Sequence, residues 1–171
     1  LRQNGIKQRF YALTKNQEIT HTNAELASLA IKKMLTSDEL NRIEVLCCGT
    51  SSPDQYIPSH ASMVHGETFK HSLELFSLAG VCLTSIAALK TAYMSVLSGN
   101  SMNAICSTSE LSSAGLLSKS YEKEYEEMTN VSENPILAFE KDFLRFMLSD
   151  GAACCLLEGN SNSPISLQIN W

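Results

Sequence analysis

Residues 78–100 read LAGVCLTSIAALKTAYMSVLSGN, and Lys90 is the single charge between Cys82 and Gly99. The run has helical length and helical residue types. A surface helix normally shows an apolar stripe and a polar face; this one has almost no wet face. It is therefore expected to be covered on its second side as well as its first, by another sheet-and-helix layer or by a partner subunit. A membrane span is not expected. Thr84, Ser85, Lys90, Thr91, Ser95 and Ser98 interrupt the run, and a span needs about eighteen clean apolar residues or more.

The flanks supply what such a helix would pack on. RIEVLCCGTSS contains a short apolar run, Ile43 to Cys48, closed by Gly49. It suits a buried strand. SLELFSLAG and NAICSTSELSS read as two more strands, and FMLSDGAACCLLEG as two apolar runs about a turn at Ser149-Asp150-Gly151. Strands are expected near 43–49, 74–79, 103–109 and 151–158. PISLQINW alternates Ile165, Leu167, Ile169 and Trp171 in strand fashion. THTNAELASLAIKKML reads as a helix, with Thr22 and Glu25 at capping-box spacing and Asn23 as a rival cap. Its expected apolar face is Leu26, Leu29, Ala30 and Met34. Ser59 is a plausible cap for a short helix in IPSHASMVHGE. Residues 117–142 are charged and lack an apolar face, as an exposed excursion would. Strands alternating with helices imply an α/β domain with a mainly parallel sheet.

Composition narrows the function. The 171 residues suit one domain, 44% of them are hydrophobic, and the net charge is −5. No basic cluster points to nucleic acid, and LRQNGIKQRF lacks the apolar segment of a signal peptide. Six cysteines are present: Cys47, Cys48, Cys82, Cys106, Cys154 and Cys155. None has CxxC or Cys/His spacing, so no metal is expected. Reduced and mostly buried cysteines in a cytoplasmic protein are the better reading.

Cys82 is the exception. It follows Ala79-Gly80-Val81 and opens the helical run, so its thiol is expected on a strand-to-helix turn. Unpaired N–H groups and the helix dipole at such a start favour an anion, which favours thiolate. A nucleophile there would also offer its own N–H to a developing oxyanion. A small core cysteine is the alternative. His60 and His65, in a polar segment, read as surface residues.

Four segments in order resemble the β-ketoacyl-acyl carrier protein synthase III family: NGIKQRFYA, CCGTSSPDQYIPSHA, FSLAGVCLTSIAAL and FMLSDGAACCLLE. The resemblance implies a thiolase-like fold, with residues 1–171 forming the N-terminal half of a duplicated αβαβα sandwich with a mainly parallel mixed sheet. In this family the buried helix lies between two sheets. The resemblance implies that Cys82 takes an acyl group from acyl-CoA or an acyl-carrier thioester, and that a malonyl-carrier thioester condenses with it after decarboxylation. Arg9 matches an arginine near the CoA entrance, and Ile57 a loop residue that reaches the neighbouring subunit's acyl pocket. Asp150-Gly151 would shape a turn. Acyl-CoA and acyl carrier protein are the implied partners. A homodimer formed through the strand at 103–109 is implied too, and no cofactor. Leu83 replaces the usual glycine after the cysteine, and Ser149 the glycine before Asp150. The family's first strand and its catalytic histidine and asparagine fall outside these residues; His21, His60, His65 and His71 do not match. A non-condensing acyltransferase and a scaffold subunit with an inert cysteine remain open.

Overall fold

The computed structural model describes residues 5–117, 147–160, 163 and 165–170. The elements in chain order are α1 (Asn23–Met34), α2 (Ser37–Leu40), β1 (Val45–Gly49), α3 (His60–Thr68), β2 (Glu74–Leu78), α4 (Thr84–Leu97), β3 (Asn103–Glu110), a 3-10 turn (Ser112–Gly115) and β4 (Gly151–Glu158). The strands form one sheet in the order β2-β1-β3-β4. β1 runs parallel to β2 and β3, and β4 runs antiparallel to β3. The expected mixed, mainly parallel sheet is therefore present, with its strands close to the expected positions.

Handedness sets the layers. The chain leaves β1 for β2 on one side, then crosses from β2 over β1 to β3. Parallel crossovers are right-handed, so these two opposite steps put α3 and α4 on opposite faces. Strand alternation follows. Leu46, Cys48 and Ile105 pack with α1 and α3, around Ala27, Ile31 and Val64. Val45, Cys47, Ala104 and Cys106 pack with Ala88 and Ala92 of α4. Covered on both faces, β1 is buried at all of its positions, as its unbroken apolar run predicts.

α1 has the expected capping box, with Thr22 as the cap: Glu25 N–H donates to Thr22 Oγ1 (3.1 Å) and Thr22 N–H to Glu25 Oε2 (2.7 Å). Its buried face is not the expected one. Ala24, Ala27, Ser28 and Ile31 point inward, whereas Leu29 and Met34 are exposed. The small stripe wins because it lets α1 lie close to α3 and the sheet; a larger stripe is not the better one where the layer is thin.

Four further expectations are corrected. α4 is covered on one face only. Thr84, Ala88 and Ala92 are buried, but Ile86 and Leu97 on its outer side are 57% and 63% exposed, so no described residue supplies the second cover. β3 lies inside the sheet, hydrogen-bonded to β1 and β4, and so is not an edge through which a dimer could pair. Residues 165–170 form no strand, and Ile165 and Leu167 are exposed; alternation alone makes no strand without an edge to join. Asp150 is not a turn residue. It precedes β4 and ties three segments, accepting from Ala12 N–H (2.7 Å) and Ser113 N–H (2.8 Å) while its own N–H donates to Phe10 O (2.8 Å). Of the expected excursion at 117–142, Leu117 is buried and the rest lies outside the described residues. No helix among the described residues is long and apolar enough to cross a membrane.

Candidate active site

Three parallel strands end together at Gly49, Leu78 and Glu110. Ligands of open α/β sheets bind beyond such carboxyl ends. β4, being antiparallel, begins at that same end. An open cleft of about 620 Å³ lies there, lined by Ser51, Ser52, Val81, Cys82, Glu110 and the start of β4 among others.

Cys82 stands in the turn between β2 and α4, and it is the exposed thiol of the six. The expectation that it opens the helix needs correction. α4 begins at Thr84 behind the cap Leu83, and Leu83 makes no side-chain cap bond. The Thr84 N–H (3.3 Å) and hydroxyl (2.8 Å) both turn back onto Val81 O. Cys82 is thus presented by the turn ahead of α4. α4 itself is seated on the end of β1 through Gly49: a Cβ there would stand 2.9 Å from Thr84 O and 3.3 Å from Ala88 Cβ.

The loop after β1 holds this turn in place. Ser51 Oγ donates to Gly80 O (3.2 Å) and Val81 O (3.3 Å), the two carbonyls ahead of Cys82. Glu110, at the end of β3, accepts from Ser51 N–H (2.6 Å) and from the Ser52 hydroxyl (2.7 Å). Sequence reading passed over both Ser51 and Glu110. A signal was present: paired hydroxyl residues directly after a strand-ending glycine, and one acid closing the otherwise uncharged NAICSTSE.

The other sequence candidates lie elsewhere. Arg9 is half-buried, donates from Nη1 to Gln8 O (3.2 Å), and does not line the cleft. Ile57 is 88% exposed, also away from the cleft. None of the four histidines lines it. His60 is not a surface residue: it is buried at the start of α3, with Nε2 3.2 Å from Ser109 Oγ. Burial pushes its pKa down, against the opposing charges of Asp54 and Glu110. His65 is half-buried, and its Nε2 donates to His71 O (2.7 Å).

The remaining thiols belong to packing. Cys47, Cys48 and Cys106 are buried, and burial pushes Cys47 up to about 12 and Cys48 further. Cys106 and Cys155 face each other across β3 and β4. The hydrogen bond between them, largest in effect, brings Cys155 down to about 7 and raises Cys106. No group of histidine, cysteine and acidic residues able to hold a metal ion occurs among the described residues.

This architecture is that of part of a thiolase-like fold. AbyA1, a tetronic acid condensing enzyme, superposes with a TM-score of 0.69 at 18% identity, over 94% of this chain and 43% of that one. The 3-oxoacyl-(acyl carrier protein) synthase III, FabH, of Pseudomonas aeruginosa PAO1 gives 0.66 at 18% identity, over 92% and 41%. In sequence, the β-ketoacyl-[acyl-carrier-protein] synthase III of Limosilactobacillus reuteri (strain DSM 20016) is 30% identical over 103 residues, which is 59% of this chain and 30% of that protein. No protein-family model matches the chain. The fold is thus thiolase-like, the chain is similar in sequence to a β-ketoacyl-acyl carrier protein synthase III over 103 residues, and it spans less than half the length of these relatives.

Proposed function

We propose that Cys82 is the acyl-accepting nucleophile of a 3-oxoacyl-[acyl-carrier-protein] synthase III-like condensing enzyme. One observation carries this reading: the exposed thiol stands in a turn at the carboxyl end of the parallel strands and lines the cleft there. The thiolase-like fold and the sequence similarity to a β-ketoacyl-[acyl-carrier-protein] synthase III support it. Thiolate attack on an acyl-CoA or acyl-carrier thioester forms the new C–S bond and a tetrahedral oxyanion. The Cys82 N–H is positioned in sequence to donate to that oxygen. Collapse expels the CoA or carrier thiolate, which takes up a proton. A malonyl-carrier thioester then loses carbon dioxide. Its carbanion attacks the acyl-enzyme carbonyl, and the C–C bond forms as the Cys82 thiolate leaves.

Decarboxylation needs groups that stabilise the growing negative charge. Cys82 and Glu110 are the titratable side chains lining the cleft among the described residues, so we assign the charge-stabilising groups to parts of the full-length protein beyond these described residues. Arg9 at a CoA entrance, Ile57 toward a neighbouring subunit and assembly as a homodimer belong to the same proposal. The test is product analysis of the full-length protein with acyl-CoA, with and without a malonyl-carrier thioester. A 3-ketoacyl product only when the malonyl thioester is present is expected. An ester or amide of an added alcohol or amine without it would establish simple acyl transfer instead, a reaction that Leu83, exposed beside the thiol, gives reason to examine.

A further inference from the structure

The peptide bond between Val81 and Cys82 is the unit that matters for an oxyanion at Cys82. A trans peptide is planar, so its N–H points opposite to its C=O. Whatever grips Val81 O therefore aims the Cys82 N–H. Three donors grip it: the Thr84 N–H and hydroxyl from within the turn, and the Ser51 hydroxyl from another element. Ser51 shares its proton with Gly80 O, so it also sets the preceding peptide plane. Thr84 moves with α4, whereas Ser51 references the turn to the sheet.

A lone exposed serine would be a weak reference. Ser51 is not held alone. Its N–H donates to one oxygen of Glu110, and the Ser52 hydroxyl donates to the other. The Ser52 oxygen in turn accepts from Leu111 N–H at 3.4 Å, which closes the loop onto the end of β3. Both Glu110 oxygens are thus engaged in holding the loop, although the residue lines the cleft. Charge-assisted bonds of this kind are the stronger sort.

We propose that Ser51 is a positioning residue that orients the Cys82 N–H for the oxyanion, and that Glu110 anchors Ser51 and does not act as a base. This rests on the reading of Cys82 as the acyl-accepting nucleophile. Two reactions of the same thiol separate orientation from mere structure. Acyl transfer from a thioester builds an oxyanion; alkylation by iodoacetamide displaces iodide and builds none. Removing a full oxyanion donor costs about a hundredfold to a thousandfold, and a misaimed donor costs less.

The experiment uses the full-length protein and measures single-turnover acyl loading of Cys82 from acyl-CoA beside iodoacetamide alkylation of the same residue. Ser51→Ala should slow loading by about 10- to 100-fold, with alkylation within about twofold of the unsubstituted protein and saturation by acyl-CoA little changed. Ser51→Thr, which keeps the hydroxyl, should restore most of the loading rate. Glu110→Gln, which keeps an acceptor for Ser51 N–H, should retain more loading than Glu110→Ala, and the pH profile of loading should keep its shape. Loading by Ser51→Ala at the unsubstituted rate would overturn the proposal. So would an equal loss of loading and alkylation, or no rescue by Ser51→Thr. A limb of the pH profile of loading that is present in the unsubstituted protein and lost in Glu110→Gln would make Glu110 a base and overturn its part as an anchor. If the unsubstituted protein alkylates at Cys82 but never loads acyl there, the nucleophile reading itself fails, and this inference fails with it.

Discussion

The two faces of the sheet are built differently. On one, α1 and α3 press Ala27, Ile31 and Val64 onto Leu46, Cys48 and Ile105, all of them buried, while Lys32, Lys33 and Glu67 face outward. On the other, α4 buries Thr84, Ala88 and Ala92, with Leu89, Tyr93 and Val96 packed partly buried beside them, while Ile86, Met94 and Leu97 of the helix and Val81 and Leu83 of the turn before it are exposed. The first layer is finished; the second is half of a contact. Exposed large aliphatic side chains gathered on one element suggest a place that something covers. The chain spans about 41–43% of the structural relatives' length, and under the proposed function the rest of such a fold would supply the cover.

The largest effect should come from the finished face. Ile105 is fully buried in an interior strand, and Ile105→Ala should cost about 2–5 kcal/mol in urea unfolding. A loss under 1 kcal/mol would mean that this core is looser than described. Next comes the joint between the faces. Gly49→Ala places a methyl against Thr84 O, which is backbone, and should cost about 1–3 kcal/mol while slowing acyl loading as the Cys82 turn shifts. Unchanged stability would show that α4 is not seated there.

Ile86→Glu sharpens the comparison by sign. In the isolated 171-residue chain it should change stability by less than about 0.5 kcal/mol and raise solubility. In the full-length protein it should destabilise by more than that, because a covered charge is costly. Equal, small effects in both would leave the α4 face uncovered and break the account of the second layer.

The smallest effect concerns pH. His60 is buried on the finished face, and its folded pKa is lowered, chiefly by desolvation. The unfolded state, with an ordinary histidine pKa near 6.5, therefore takes up the proton first as pH falls. The stability associated with a neutral His60 is full above about pH 6.5 and declines as pH falls from there through the folded pKa. His60→Gln should flatten that part of the profile in urea midpoints measured between about pH 8 and pH 5. An unchanged slope would assign it to other groups.

Much of this contrast was legible in the sequence, and the misses have physical causes. Strand positions were readable because β1 is a pure apolar run and the flanking strands end in glycine or polar loops. The scarcity of charge along α4 led to the expectation of a cover on both sides, whereas the described residues cover one side and leave Ile86 and Leu97 exposed. The inward stripe of α1 was misread because Leu29 and Met34 outweigh Ala24, Ala27 and Ile31 in hydrophobicity, and close approach is decided by size. His60 was misread because its neighbours in sequence are polar, while its partner Ser109 lies on another strand. Cys82 was found from its place after Gly80. The Ser51–Glu110 support was missed because it is made between β1 and β3, which are distant in sequence.

Thiol order offers a simple check along the way. With iodoacetamide, Cys82 should label first because it is exposed. Cys155, brought down to about 7 by Cys106 but half-buried, should follow, and Cys47, Cys48 and Cys106 should come last. Equal rates at Cys82 and Cys106 would contradict the packing beneath α4.

The central claim is that Cys82 accepts an acyl group, and peptide mass spectrometry tests it most directly. Full-length protein is incubated with acyl-CoA in the absence of a malonyl thioester, quenched in acid and digested. The account predicts a stoichiometric acyl mass on the peptide carrying Cys82, removed by hydroxylamine and absent in Cys82→Ala, whose thermal unfolding should stay close to that of the unsubstituted protein. No acyl mass on that peptide, or the mass on the Cys155 peptide instead, would contradict it.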